Sequence, residues 1–269
     1  MRMANLFLKD FRWNLRSLLI WIVIFIAFAM MYIPITDHLL AQADDMIQFM
    51  ERLPEVLLQM FHLDTEIMTR PEGIFGGEGM SFVYILSAIF AAMMANSLFA
   101  KEFENKTIEY LFVKPISRTS VYLSKLAVML TCTGILICAF TFSVVGLFSV
   151  FIDMSYNVRL LYGFGLYALA VQLFFAGVAC VIAILSQKSS VTISLSIGLV
   201  IFMYFGDTLS GIFEQIKWLG TFTVFNYIPL VETIKQDNVM VGNALLIMLF
   251  SAVFFTIALW GFRRVDVKV

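Results

Sequence analysis

The sequence predicts an all-α polytopic membrane protein with six transmembrane helices. Three observations lead there: an extreme composition, six long apolar runs, and a one-sided distribution of Lys and Arg. Of 269 residues, 61% are hydrophobic and 14% charged, with a mean hydropathy of +0.91. Soluble domains average about 45–50% apolar and about 25% charged. An ordinary soluble enzyme and a disordered chain are therefore both excluded, and the bilayer is the expected surroundings. The net charge of -1 gives no overall basic field, so no nucleic-acid partner is expected.

A helix rises 1.5 Å per residue, so about 20 apolar residues cross a hydrocarbon core of about 30 Å. The runs that meet this are 18–35, 80–100, 126–151, 160–185, 190–208 and 241–262. The fourth and fifth are separated only by 186–189, which requires a tight helical hairpin. The basic start followed by an apolar run has the outline of a signal peptide. However, 17–34 is long, holds Trp21 and lacks a small-residue cleavage site, so it reads as a retained first span.

Segments 1–17, 101–125, 186–189 and 263–269 carry thirteen of the 18 Lys and Arg residues. By the positive-inside rule both termini are cytoplasmic. The acids lean the other way, with nine of them between Asp37 and Glu78.

The chain 1–269 reads as one transmembrane domain with four notable connecting segments. In 2–16, Leu6, Phe7, Phe11 and Trp13 mix with Lys9, Arg12 and Arg16. This suits an amphipathic interfacial helix, or else a plain basic topology signal. Segment 37–79 is the long outside loop, where Met46, Phe49, Met50, Leu53, Leu57, Met60 and Phe61 form one apolar helical face before a glycine-rich stretch. It reads as a small helical cap whose Met stripe packs on the membrane mouth or meets substrate. Segment 209–240 holds short apolar pieces that lie flat or dip in as broken re-entrant helices, tolerated only where protein covers the backbone.

The sizeable inside segment is 101–125. Phe103, Ile108, Leu111 and Phe112 can share one helical flank, with Glu102, Glu104, Lys106 and Glu109 on others. Pro115 stops the helix, and Ser117 or Thr119 can cap the next. This compact element is placed either to receive a push from a cytoplasmic partner or to serve as a solvated connector.

Within the spans, ionisable residues are nearly absent, which argues against a proton relay. Ser87, Ala88, Ala91, Ala92 and Ala95 make a small-residue face for close packing. Asn96 either belongs to that packing or faces a pathway, and Gln172 can bond to another helix. Cys132, Cys138, Cys180 and the two His show no metal or disulfide spacing.

At 101–125 the chain resembles the membrane subunits of ABC-type exporters of the type-2 permease class. That family carries an acidic residue leaving span two, a Gly-Thr-x-Glu-x-Leu-Leu stretch, a Pro-x-Ser-Arg turn and a Lys entering span three. The matching residues are Glu102 or Glu104, then Thr107, Glu109, Leu111 and Phe112, then Pro115, Ser117 and Arg118, then Lys125. Lys106 stands where Gly is usual, and Phe112 replaces the second Leu. Leu53-Pro54-Glu55, Glu72-Gly73 and the Phe262-Arg263-Arg264 tail extend the resemblance over nearly the whole chain.

The resemblance implies a permease fold with an N-terminal interfacial helix and a cytoplasmic coupling helix. It implies two permease halves, as a homodimer or with a related permease, paired with cytoplasmic ATP-binding subunits that carry ATP and Mg. The docking residues would be Glu102, Glu104, Lys106, Thr107, Glu109, Leu111, Phe112, Pro115, Ser117 and Arg118. Asn96 would stand on a path lined by spans one, two and five. No Gly-rich loop followed by Gly-Lys-Ser/Thr is present, so the chain itself is not expected to be an enzyme or to bind a cofactor. A bacterial inner membrane is expected from the family's split-subunit layout. So little polarity in the spans suits a hydrophobic or amphipathic cargo such as a peptide, antibiotic or lipid. The competing reading is a non-transporting scaffold or sensor that binds a ligand through its outside cap.

Overall fold

A computed structural model describes residues 3–41, 67, 69–112 and 115–265, with the side chains of 37, 38, 41, 78 and 112 left aside. The expected helical face between Met46 and Phe61 lies outside these residues. Helix α1 runs over Met3–Ala41. Its buried positions are Leu6, Asp10, Asn14, Leu18, Trp21, Phe25, Ala29, Ile33, Thr36 and Leu40, always three or four apart. Residues 3–16 are therefore not a separate helix. The buried stripe passes from Leu6 to Leu18 without a change of register, so one face packs along the full length. At 39 residues, α1 is about 58 Å long and must extend well beyond a hydrocarbon core.

Helix α2 covers Met80–Ala95. Pro71–Ile74 and a π-helical turn Phe75–Gly79 precede it without a break. A second π-turn Asn96–Ala100 and the turn Lys101–Glu104 continue it. The glycine-rich stretch expected to be loop is thus helical. Gly73 is needed there because a Cβ would collide with the Ile67 carbonyl. A Cβ on Gly76 would meet the Phe164 ring at 2.6 Å and Ile234 at 2.9 Å.

The remaining elements are α3 (Thr107–Phe112), α4 (Arg118–Phe151), α5 (Val158–Ser186), α6 (Ser189–Ile212), α7 (Leu230–Lys235) and α8 (Val241–Arg264). Six helices are long and apolar enough to cross a membrane: α1, α2 with its continuation, α4, α5, α6 and α8. They coincide with the six apolar runs of the sequence. The hairpin between α5 and α6 turns at Gln187, whose φ of 54° is left-handed.

Helix α5 is the hub and packs against α2, α4, α6 and α8, while α1 lies along α4. The most apolar windows of α2 and α5 are 67% and 61% buried, against 28%, 22% and 28% for α1, α6 and α8. The interior therefore belongs to α2 and α5, and the other helices turn broad apolar faces outward. The first and last described residues sit at one end of the bundle, because Ser124 reaches the Met3 carbonyl and Arg118 reaches the Val265 carbonyl.

At the opposite end, the chain between α6 and α7 breaks into Glu214–Ile216, Lys217–Gly220 and Phe225–Tyr227. These pieces are pinned rather than loose. Phe225 packs on Phe175 and Tyr204 with ring centroids 5.9 and 5.8 Å apart. The Tyr167 hydroxyl pairs with the Thr233 hydroxyl at 2.8 Å and accepts from the Met240 N–H at 2.9 Å.

Candidate functional site

The segment expected to carry function leaves α2 through the π-turn Asn96–Ala100. It reverses at Asn105 and Lys106, and Lys106 has a φ of 56°. That left-handed conformation is one a side chain rarely adopts and glycine adopts freely. The Thr107 hydroxyl donates to the Glu102 carbonyl at 3.3 Å across the reversal. Helix α3 follows. Ser117 then caps α4, accepting from the Ser120 N–H at 3.1 Å. This satisfies one of the unpaired donors at a helix start, and of the two expected caps, Ser117 and Thr119, it is Ser117 that accepts.

Two charged side chains of this segment, Glu102 and Lys125, are turned inward. Glu102 Oε2 lies 2.8 Å from the Lys125 ammonium, which also donates to Asp10 Oδ2 at 3.1 Å. Lys125 is 0% exposed and Asp10 3%. Lys9 stands at the rim, 3.8 Å from Asp10 and 4.0 Å from Glu102, so two cations face two anions. Two charges withdrawn from water are tolerable only when paired in this way.

Two further side chains close helix ends. Glu104 Oε2 accepts from the Ser189 N–H at 3.3 Å, at the start of α6, where Lys188 provides no side-chain cap. An anion suits that end of the helix dipole. Arg118 donates to the carbonyls of Arg263 and Val265 at the end of α8. Phe103 stacks edge-on against Phe262 of α8 at 6.0 Å. Within 17 residues the segment thus reaches α1, α4, α6 and α8.

Of the ten residues expected to meet a partner, Glu104, Lys106, Thr107, Pro115 and Ser117 are exposed. Glu109 and Arg118 are half-buried. Glu102 and Leu111 are instead buried inside the protomer, because one is held by Lys125 and the other belongs to the apolar core. The side chain of Phe112 lies outside the described residues. Tyr110, which the sequence reading passed over, is 75% exposed on α3. Asp10 was also missed. Its signal is its place in the buried stripe of α1, four residues after Leu6 and four before Asn14.

Asn96 is 2% exposed and buried within the protomer, with Oδ1 lacking a hydrogen-bond partner. It begins the π-turn that leads into the segment. Gln172 donates to the Thr133 hydroxyl at 3.3 Å, which is the interhelical bond expected of it.

Six membrane-length helices, with α5 at their centre and a charged hairpin tied to the helix ends, make an all-α polytopic membrane bundle. The family model for ABC-2 family transporter proteins matches residues 4–267, and the chain belongs to that family. A comparison with curated proteins finds no match.

Proposed function

We propose that the chain is the permease subunit of an ATP-driven exporter, with ATP hydrolysed on a separate cytoplasmic subunit. The observation that carries this reading is the division of labour in segment 101–118. Glu102, Glu104 and Arg118 are tied to neighbouring helices, while Lys106, Thr107 and Tyr110 face outward. A helix so anchored transmits force applied to its free face. Tyr110 supplies the large amphipathic side chain that interface centres favour. Family membership implies an ATPase partner, and the exposed face of α3 is where it docks.

The Lys and Arg distribution supports cytoplasmic termini, and the family's split-subunit layout supports a bacterial inner membrane as the location. Two permeases, identical or related, complete the path, and the broad exposed faces of α1 and α6 are available to meet a second copy. With so few ionisable groups in the spans, the cargo is hydrophobic or amphipathic.

The test is co-purification in mild detergent with the candidate ATPase subunit, alongside Tyr110→Ala and Glu109→Arg. A complex of two permeases and two ATPases is expected, with binding or permease-stimulated ATPase activity lost in the variants. Failure to recover any ATPase, in cells as well as in detergent, overturns the reading.

A further inference from the structure

We propose that Asp10 is a positioning residue that makes the start of α1 follow segment 101–112 when a partner moves it. This rests on the docking role proposed above for α3. Three elements meet at a single ammonium: Lys125 on α4 holds Asp10 of α1 at 3.1 Å and Glu102 of the α2 continuation at 2.8 Å. Apolar contact between α1 and α4 has no preferred direction and permits sliding. The ion joint does not, since separating it takes from the fully buried Lys125 one of its two anions and leaves the buried Asp10 only the rim cation Lys9. Displacing the segment therefore either carries α1 with it or breaks the joint.

Asp10 offers no surface to a partner, being 3% exposed, so its influence runs through Lys125. Asn14 Nδ2 donates to the main-chain carbonyl of Asp10 at 2.8 Å, one turn along the same helix. Lys9 is the remaining charged group facing it among the described residues. With Lys9 the cluster is neutral, which makes a charge-balanced deletion possible.

The experiment uses the permease–ATPase complex in lipid nanodiscs and follows hydrogen exchange in 3–16 and 101–112. Exchange is compared without nucleotide and with ATP, Mg and vanadate. In the natural protein both segments are expected to change together. In Asp10→Ala/Lys9→Gln, which retains the Lys125–Glu102 pair, 101–112 should still respond while the response of 3–16 falls at least fivefold. Asp10→Glu should restore it. If the alanine variant does not fold, Asp10→Asn/Lys9→Gln keeps the shape and should show the same loss in smaller degree. An unchanged response of 3–16 in the variants overturns the proposal, as does a natural complex in which only 101–112 responds. Absence of any ATPase partner is a distinct result: it removes the functional reading and this inference with it.

Discussion

Arg118 Nη1 donates to the Val265 carbonyl at 2.6 Å and to the Arg263 carbonyl at 3.1 Å. One side chain at the start of α4 thereby closes the last turn of α8, where helix carbonyls have no intrahelical partner. A guanidinium also complements the negative end of the helix dipole. Arg118→Met should destabilise the protein by about 2 kcal/mol, the usual size of charge-assisted hydrogen bonds. Thermal unfolding in detergent measures this, and hydrogen exchange should show α8 fraying at its C-terminal turn.

Lys106 occupies a left-handed conformation with φ 56° at the reversal before α3. The family usually places Gly there, and the geometry supplies the reason. Lys106→Gly should stabilise the chain by about 1 kcal/mol by relieving the strain, while Lys106→Val should destabilise it. Melting temperatures of the two variants should move in opposite directions.

Lys125→Met leaves Asp10 and Glu102 buried with only the rim cation Lys9. The expected loss is about 3–5 kcal/mol, the range for breaking one member of a buried ion pair. The triple variant Lys125→Met/Asp10→Asn/Glu102→Gln removes the uncompensated charges. It should recover most of that stability, as read by the yield of monodisperse protein and its unfolding midpoint.

Tyr167→Phe deletes the hydroxyl that holds both Thr233 and the Met240 N–H. Thr233 is fully buried, so its hydroxyl is left without that partner. A loss of about 1–3 kcal/mol is expected. Limited proteolysis should then cut between α7 and α8 faster than in the natural protein, because Tyr167 pins that connection to α5.

Much of the fold was legible because its signals are local. Each span needs a run of apolar residues that matches the bilayer thickness, and the six runs met that requirement one at a time. A cap for α4 at Ser117 or Thr119 follows from the helix stop at Pro115 and from hydroxyls ready to accept an N–H, and the fold uses Ser117. The four residues 186–189 leave no room for anything but a tight turn. The amphipathic spelling over 2–16 does not say where a helix ends. Only packing on α4 shows that the stripe through Asp10 and Asn14 continues into the span. The glycines of 73–79 read as loop, since composition alone does not distinguish a flexible turn from a helix pressed against Ile67, Phe164 and Ile234.

By itself the sequence determined the number of spans, the tight turn between the fourth and fifth, and the polar segment on which function was expected to rest. Tertiary structure alone decided which way that segment's charges face. Asp10 and Lys125 are 115 residues apart in the chain and 3.1 Å apart in space. No local pattern joins them, because their meeting depends on how α1 packs against α4. Burial then holds the cluster together, since a charge withdrawn from water is tolerated only while an opposite charge stays beside it.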